Sequence, residues 1–295
     1  MKIAVTGGTG FIGGHLIRHL RSGGHEVVNI SRSSQPPALG VTTVTWDELQ
    51  SNPAMVEDFD AIVNLAGESI NRRWTKEAKE RILRSRQMAA AQVALVVERL
   101  QVKPKVVINA AGMSIYGTSE TEAFDEQSPH RAVDFLSNVC EAWEHAADQI
   151  LGTRLVKIRI GLVLDNREGA FPKMALPYKL GVGGRVGSGK QWMSWIHIDD
   201  MVGLIEYCIV NEAISGPVNA TAPNPVTNHE FGRRLARAMH LPNLMPVPAF
   251  VLKLIFGELS TLLLEGQKVQ PSVLLEHGYT FQFETVEQAF ADIVK

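Results

Sequence analysis

This sequence has few cysteines and little net charge. The 295-residue chain has two cysteines, Cys140 and Cys208, and neither lies in a CxxC or histidine-rich setting that would predict a zinc site. We therefore expect no metal, and both residues to be reduced thiols in the core. The formal net charge is only -2, so no nucleic-acid partner is expected, because such proteins present an excess of Lys and Arg on one face.

Long hydrophobic runs are absent as well. No segment approaches the roughly 18 uninterrupted apolar residues that a membrane span needs, and Gly7 interrupts the apolar N-terminal stretch before a signal peptide could form. We therefore expect no membrane partner and a cytoplasmic location. The hydrophobic fraction of 45% and the charged fraction of 20% are typical of a globular protein that folds.

The first half of the chain alternates short apolar runs with longer helical patterns. Strands are predicted at 3–6, 27–30, 41–44, 61–65, 106–110 and 155–160, and helices at 11–22, 75–100 and 132–149. Strands that alternate with helices pair in parallel through right-handed crossovers, with helices covering both faces. The pattern predicts an α/β fold with a doubly wound parallel (Rossmann) sheet.

The composition changes after about residue 165. Glycines crowd residues 181–189, and prolines interrupt residues 217–248, so short helices and loops are expected there. We predict a dinucleotide-binding domain over 1–165, completed by segments near 193–222. Residues 166–295 are predicted to form a smaller domain, mostly helical over about 225–295, that closes over the cofactor.

A glycine-rich turn joins the first predicted strand to the first predicted helix. It reads Gly7-Gly8-Thr9-Gly10-Phe11-Ile12-Gly13, with glycines for the tight turn, for close approach to a pyrophosphate and for helix–strand packing. The helix start adds free N–H groups and a positive dipole end. Because strand, turn and helix occur in the required order, the segment predicts a dinucleotide site.

The end of the second predicted strand distinguishes between the two nicotinamide cofactors. An NAD site usually has a carboxylate here for the ribose, and this chain has Ser31 followed by Arg32. A hydroxyl and a guanidinium suit the 2′-phosphate of NADP(H). The alternative is that Arg32 is a solvated surface charge.

These residues resemble the extended short-chain dehydrogenase/reductases, and more narrowly the atypical branch often labelled "epimerase family protein". The matching segments are 6–13, 64–68, 73–75, 85–86, 115–117, 159–161, 187–200 and 264–271. The resemblance implies further cofactor contacts at Leu65, Ala66 and Gly67 after the fourth strand, at Arg86 on the following helix, and at Leu162 near the nicotinamide.

The chain departs from that family at its catalytic pair. Extended members carry Tyr-x-x-x-Lys, in which the lysine lowers the pKa of the proton-transferring tyrosine. Residues 118–156 contain no tyrosine or lysine, and alignment puts Leu136 and Cys140 at the two positions. Ser114 and Tyr116 are the hydroxyls left near the usual third catalytic group, although Tyr116 is equally interpretable as a structural ring.

A second departure concerns the substrate. Sugar-nucleotide enzymes of the superfamily commonly carry an arginine before the segment matched by 195–200, and Met193 stands in its place, where a thioether cannot pair with phosphate. The candidate substrate contacts are Lys173, Gln191, Trp192 and Trp195. Alternatively, the tryptophans pack the seam between domains. His197 is interpreted as a structural anchor, and Asp199 as the N-cap of a helix over 200–211.

Two functions remain open from the sequence. One is an NADP(H)-dependent oxidoreductase or epimerase-type enzyme that acts on a small carbonyl or alcohol substrate. The other is a non-catalytic protein that senses NADP(H) or binds another ligand. The missing general acid favours the second function, and the retained segment 187–200 favours the first. A homo-oligomer is compatible with the sequence and is not predicted by it.

Overall fold

The computed structural model describes residues 1–34 and 40–294. In chain order its strands are β1 (Lys2–Thr6), β2 (Glu26–Ser31), β3 (Thr42–Thr45), β4 (Ala61–Asn64), β5 (Val106–Gly112), β6 (Ala123–Phe124), β7 (Arg154–Ile160), β8 (Leu162–Leu164), β9 (Trp192–Met193), β10 (Trp195–His197), β11 (Gly216–Ala220), β12 (Val226–Thr227) and β13 (Lys268–Val269). Its α-helices are α1 (Phe11–Ser22), α2 (Trp46–Ser51), α3 (Lys76–Arg99), α4 (Phe135–Ala147), α5 (Phe171–Lys179), α6 (Ile198–Val210), α7 (Asn228–Ala238), α8 (Ala249–Phe256), α9 (Thr261–Leu264), α10 (Ser272–Glu276) and α11 (Val286–Ile293).

Seven parallel strands form the central sheet, in the order β11-β7-β5-β4-β1-β2-β3. The order reverses beside β1, where β2 lies on one side and β4 on the other, so a crevice opens at the carboxyl ends of these strands. The predicted doubly wound α/β fold is confirmed. The six strands predicted from the sequence all belong to this sheet, and the central ones, β1, β4 and β5, consist almost entirely of buried residues.

Helices cover the two faces of the sheet with separate hydrophobic clusters. On one face α1 buries Leu16, Ile17 and Leu20 and packs against α6. On the other face α3 and α4 pack together over the strands. Helix α3 begins after Thr75, whose side chain accepts a hydrogen bond from the N–H of Ala78, so the helix starts close to its predicted boundary.

A third cluster holds the C-terminal part of the chain together. It contains buried residues of α5, α7 and α11 and includes Trp195 from β10. Between α7 and α11, the chain also contributes Leu274 and Phe281 to the first cluster. Among the described helices, none combines the length and the apolar composition needed to cross a bilayer.

The predicted N-cap of α6 was wrong by two residues. The helix begins at Ile198, and His197 is the capping residue, with its Nδ1 accepting from the N–H of Asp199 at 3.2 Å. The residue types favoured Asp199, because aspartate is a preferred N-cap residue and histidine is not. The His197 ring is fully buried and packs against Phe283, with ring centres 3.8 Å apart, in agreement with its interpretation as an anchor.

Candidate functional site

The glycine turn lies in the crevice at the carboxyl end of β1, and its geometry requires glycine. Gly7 has φ +70, and a Cβ there would lie 2.8 Å from the backbone of Leu65. A Cβ on Gly13 would lie 2.2 Å from the carbonyl oxygen of Gly7. At Gly10 a Cβ would meet only the Gly7 oxygen, at 3.2 Å, so the chain leaves space above the middle of the turn.

Within the described residues, no side chain caps the backbone donors at the start of α1. Gly10 is the N-cap residue, no side chain caps the helix, and its first turn contains no acidic residue. The N–H groups of Phe11, Ile12 and Gly13 cannot be satisfied within the helix, because the first turn has no preceding carbonyls. The phosphates of a dinucleotide would fit here, because the helix start offers free N–H groups and a positive dipole end beside the glycine turn. Thr9 lies in the same turn and is exposed.

A ladder of buried polar side chains crosses the sheet beneath this turn. The Thr6 hydroxyl donates to Asn64 Oδ1 at 2.6 Å, and Asn64 Nδ2 donates to Asn109 Oδ1 at 2.6 Å. The three residues are in register on β1, β4 and β5. The Thr6 oxygen also accepts from the N–H of Ala66 at 3.2 Å, which fixes the loop after β4 against the turn. Single-strand patterns did not reveal this ladder, because it depends on register.

Ser31 and Arg32 lie where the sequence put them, at the carboxyl end of β2. Ser31 is half-buried and Arg32 is exposed. Within residues 1–34 and 40–294, Arg32 makes no hydrogen bond and no ion pair, so its guanidinium is available to a ligand. This position, next to the strand that flanks β1, is compatible with a 2′-phosphate contact.

Arg86 is fixed over the loop that follows β4. Its Nη1 donates to the carbonyl oxygens of Glu68 and Ile82, each at 3.0 Å, and its guanidinium lies 4.9 Å from the centre of the Trp143 ring. A Cβ on Gly67 would lie 3.2 Å from this side chain. Burial lowers the pKa of the guanidinium below its usual value. Arg86 therefore presents a partly desolvated cation beside Leu65, Ala66 and Gly67.

The two positions that the resemblance assigns to the catalytic pair are apolar and buried. Leu136 and Cys140 lie on α4 at 7% and 6% exposure, and burial raises the pKa of the Cys140 thiol to about 12. A Cβ on Gly112, the last residue of β5, would lie 2.7 Å from the Cys140 sulfur. This thiol stays protonated at neutral pH and cannot replace a lysine.

Tyr116 lies beneath the surface in a 3-10 turn formed by Met113–Tyr116. Its hydroxyl donates to Asn219 Oδ1 and accepts from Arg159 Nη1, both at 2.7 Å. Burial raises the pKa of Tyr116 to about 12 despite the nearby cation. Because both hydrogen bonds of the hydroxyl are made to protein groups, the geometry favours the structural interpretation of this residue. Ser114, in the same turn, is half-buried and is the candidate with an uncommitted hydroxyl among the described residues.

The cation that holds Tyr116 is Arg159, which the sequence reasoning missed. It is 2% exposed on β7, and Glu144 on α4 accepts from its Nε at 2.7 Å and from its Nη2 at 3.0 Å. Burial alone would lower the pKa of Arg159, but the bidentate pair with Glu144 raises it. Its Nη2 also lies 2.7 Å from His130 Nε2. The segment 159–161 was one available signal, and it did not name the partners.

We expect Tyr116→Phe to destabilise the protein by about 1–3 kcal/mol, because it leaves Asn219 and Arg159 with unsatisfied buried groups. Urea unfolding measures this loss. Tyr178→Phe is the matched control, since Tyr178 is also buried but its hydroxyl makes one longer bond, of 3.3 Å, to Gly184. A Tyr116→Phe protein with unchanged stability and lost turnover would contradict the structural interpretation.

Two of the four candidate substrate residues are buried and hydrogen-bonded to the protein backbone. Trp195 is fully buried, and its Nε1 donates to Asn224 O at 3.1 Å. Gln191 is 3% exposed, and its amide donates to the carbonyl oxygens of Val186 and Leu263. This arrangement favours the packing interpretation that the sequence left open. Leu162, the first residue of β8, is half-buried, and its N–H donates to Ser194 O.

The other two candidates remain accessible. Lys173 is exposed on α5. Trp192 is half-buried on β9, its Nε1 donates to Glu120 O at 2.9 Å, and the Lys268 ammonium lies 4.8 Å from its ring centre. Lys268 was not a sequence candidate, although it lies in the matching segment 264–271. Its neighbour Gln267 donates to the carbonyl oxygen of Met113 at 3.0 Å, so this segment adjoins the carboxyl end of β5.

Comparison with known proteins supplies the family context. The model of the NAD dependent epimerase/dehydratase family matches residues 3–220, and a domain of unknown function, DUF1731, matches residues 247–293. The "Epimerase family protein YfhF" of Bacillus subtilis is 40% identical over 298 residues, which cover 100% of this chain and 98% of that protein. A Staphylococcus aureus epimerase family protein, MW0731, is 36% identical over 294 residues, which cover 99% of this chain and 98% of its own.

Solved structures agree with these matches. The crystal structure of human epimerase family protein SDR39U1 (isoform 2) with NADPH has a TM-score of 0.93 and 38% identity, and the alignment covers 100% of this chain and 99% of that one. A nucleoside-diphosphate sugar epimerase from Corynebacterium glutamicum has a TM-score of 0.80 and 32% identity, with 100% of this chain and 58% of that one covered. The UDP-glucose 4-epimerase of Thermus thermophilus, at 18% identity, shares the fold.

Proposed function

Because the chain belongs to the NAD-dependent epimerase/dehydratase family, we propose that it is an NADP(H)-dependent oxidoreductase acting on a small carbonyl or alcohol. The observation that carries the proposal is the uncapped start of α1 above a turn in which Gly7 and Gly13 leave no room for a side chain. The structural neighbour with NADPH bound supports the choice of NADP(H) over NAD(H).

Different residues along the crevice would contact different parts of the cofactor. The N–H groups of Phe11, Ile12 and Gly13 would hold the pyrophosphate, and Ser31 and Arg32 would receive the 2′-phosphate. The loop formed by Leu65, Ala66 and Gly67 would lie along the adenosine side, with Arg86 adding a cation, and Leu162 would lie near the nicotinamide. When bound, the cofactor supplies or accepts a hydride. These contacts would orient the cofactor in the crevice.

Proton transfer would not follow the usual route of the family. Leu136 and Cys140 offer no acid and no fixed cation, and the hydroxyl of Tyr116 is committed to Asn219. Ser114 is the remaining side-chain candidate from the sequence, and Lys173 and Trp192 are the accessible substrate candidates. A slow reaction, or one in which the substrate provides its own acidic group, is the chemistry these residues would support best.

The predicted effect of Arg32→Ala tests the cofactor. Loss of a charge-assisted contact to the 2′-phosphate should weaken NADPH binding by about 10- to 100-fold, because such bonds contribute roughly 1.5–3 kcal/mol. Binding of NADH, which lacks that phosphate, should not change. Calorimetric titration of both cofactors measures the difference, and Arg237→Ala, on an exposed position of α7, serves as the matched control. Equal affinities for NADH and NADPH in the wild-type protein would disprove the assignment.

A second function is favoured by the buried apolar pair at 136 and 140. A protein that binds NADP(H) and performs no reaction would need no acid at these positions. Purified protein supplied with NADPH and a panel of aldehydes, ketones and quinones distinguishes the two, with cofactor oxidation followed by absorbance. Tight NADPH binding without oxidation of any panel member would favour the sensor.

A further inference from the structure

One surface of the C-terminal part of the protein is unusually apolar. Ten of its large apolar side chains are between 40% and 85% exposed: Leu176, Leu180, Val182, Leu244, Met245, Phe250, Leu254, Ile255, Phe256 and Leu262. Together they expose on the order of 1,000 Å², whereas the largest apolar patch of a typical monomer covers about 300–600 Å². We call this region the α8 surface. A patch of this size marks an interaction site.

Backbone hydrogen bonds hold the segments of the α8 surface side by side. The N–H groups of Leu244 and Met245 donate to Gly183 O at 3.0 and 3.2 Å, and that of Val247 donates to Arg185 O at 2.9 Å. Residues 180–186 thus lie beside 244–247, and α8 follows directly. Leu252 is the one buried residue among the eight of this helix, so nearly all its apolar side chains retain exposure.

The charges around the α8 surface are predominantly basic, and Glu258, which lies between α8 and Leu262, is paired with Lys79. Residues 169–198 and 231–257 contain nine of the ten apolar side chains, together with eight Lys and Arg and no Asp or Glu, although acidic residues outnumber basic ones in the whole chain. Seven of these cations are exposed: Lys173, Lys179, Arg185, Lys190, Arg233, Arg237 and Lys253. The eighth, Arg234, pairs with Glu230 and Glu287.

This excess of positive charge beside exposed apolar side chains favours one kind of partner. A second copy of the chain would bring two basic surfaces together, because a two-fold interface pairs a surface with itself, and like charges across an interface are unfavourable. An anionic lipid layer instead offers hydrocarbon to apolar side chains and negative headgroups to the surrounding cations. Leu244 and Leu254, at 78% and 85% exposure, are accessible to such a layer.

We propose that the α8 surface docks the protein on the surface of a membrane rich in anionic lipid, with α8 lying in the interface. This goes beyond the proposed oxidoreductase function and departs from the sequence-based expectation of no membrane partner. Phe250 and Leu254, one helical turn apart on α8, enter the acyl boundary, and Lys253 and Arg185 contact the headgroups.

Vesicle co-sedimentation tests the proposal. We expect the wild-type protein to bind vesicles of 70% phosphatidylcholine and 30% phosphatidylglycerol at least tenfold more strongly than vesicles of phosphatidylcholine alone, with binding weakened by 0.5 M NaCl. Leu254→Asp should reduce binding at least tenfold. Leu151→Asp, at a position 70% exposed in the turn before β7, is the matched control and should bind as the wild type does. NADPH affinity should be the same in all three proteins.

Three results would overturn the proposal. The first is no binding to the anionic vesicles at low salt. The second is equal loss of binding in Leu254→Asp and Leu151→Asp. The third is self-association of the lipid-free protein in sedimentation velocity that Leu254→Asp abolishes, which would assign the α8 surface to a second copy of the chain. Because both substituted side chains are exposed, neither variant is expected to unfold.

Discussion

Replacement of Gly13 by alanine should weaken NADPH binding by about 10- to 100-fold, since overpacking of this kind costs about 1–3 kcal/mol. The added Cβ would lie 2.2 Å from the Gly7 oxygen and 2.8 Å from the Gly8 Cα. Both are backbone atoms, so no side chain can rotate away. The turn itself must move, which disturbs the 2.9 Å hydrogen bond from the Gly10 N–H to the Gly7 oxygen.

Gly14→Ala is the control for this variant. Gly14 is the next residue of the same helix and is also buried, but a Cβ there would lie 3.7 Å from its nearest neighbours, which is ordinary contact. It should leave NADPH affinity unchanged and raise stability slightly, because alanine favours a helix over glycine by about 1 kcal/mol. Calorimetric titration gives the affinities, and thermal unfolding without cofactor separates loss of binding from loss of folding. Equal affinities in the two variants would mean that the turn does not hold the cofactor.

Glu144→Ala should cost about 3–5 kcal/mol of folding stability, because it leaves the Arg159 guanidinium buried without a counter-charge. Both side chains are 2% exposed, and they share two hydrogen bonds. A loss of this size is a large part of the roughly 5–15 kcal/mol that stabilises a typical protein. The expected fall in Tm is on the order of 10 °C. Urea unfolding gives the free energy directly.

Asp148→Ala provides the comparison within the same charge cluster. Lys157 lies 2.8 Å from Asp148 and 3.4 Å from Glu144, but Asp148 is 47% exposed. Solvent-exposed pairs contribute about 0–1 kcal/mol, so this variant should unfold almost as the wild type does. A loss of stability in Glu144→Ala as small as that in Asp148→Ala would show that Arg159 finds another partner. His130 is the nearest candidate.

The geometry of the glycine turn was predictable from the sequence, and the surroundings of Tyr116 were not. Gly7, Gly10 and Gly13 work through local geometry within one turn, so their spacing carried the information. The hydrogen bonds of the Tyr116 hydroxyl are made to Asn219, 103 residues later, and to Arg159, 43 residues later. No local pattern reports such pairings. Trp195 was likewise open to two interpretations until its backbone partner was known.

The glycine spacing, the alternation of strands and helices, and the absence of tyrosine and lysine from 118–156 were determined by the sequence alone, because each is a property of consecutive residues. Only the tertiary structure decided that Arg159 is buried against Glu144, that His197 caps α6, and that the exposed apolar residues of 176–182 and 244–256 form one basic-edged surface. Those features depend on register and packing between distant segments, and residue type and spacing do not determine them.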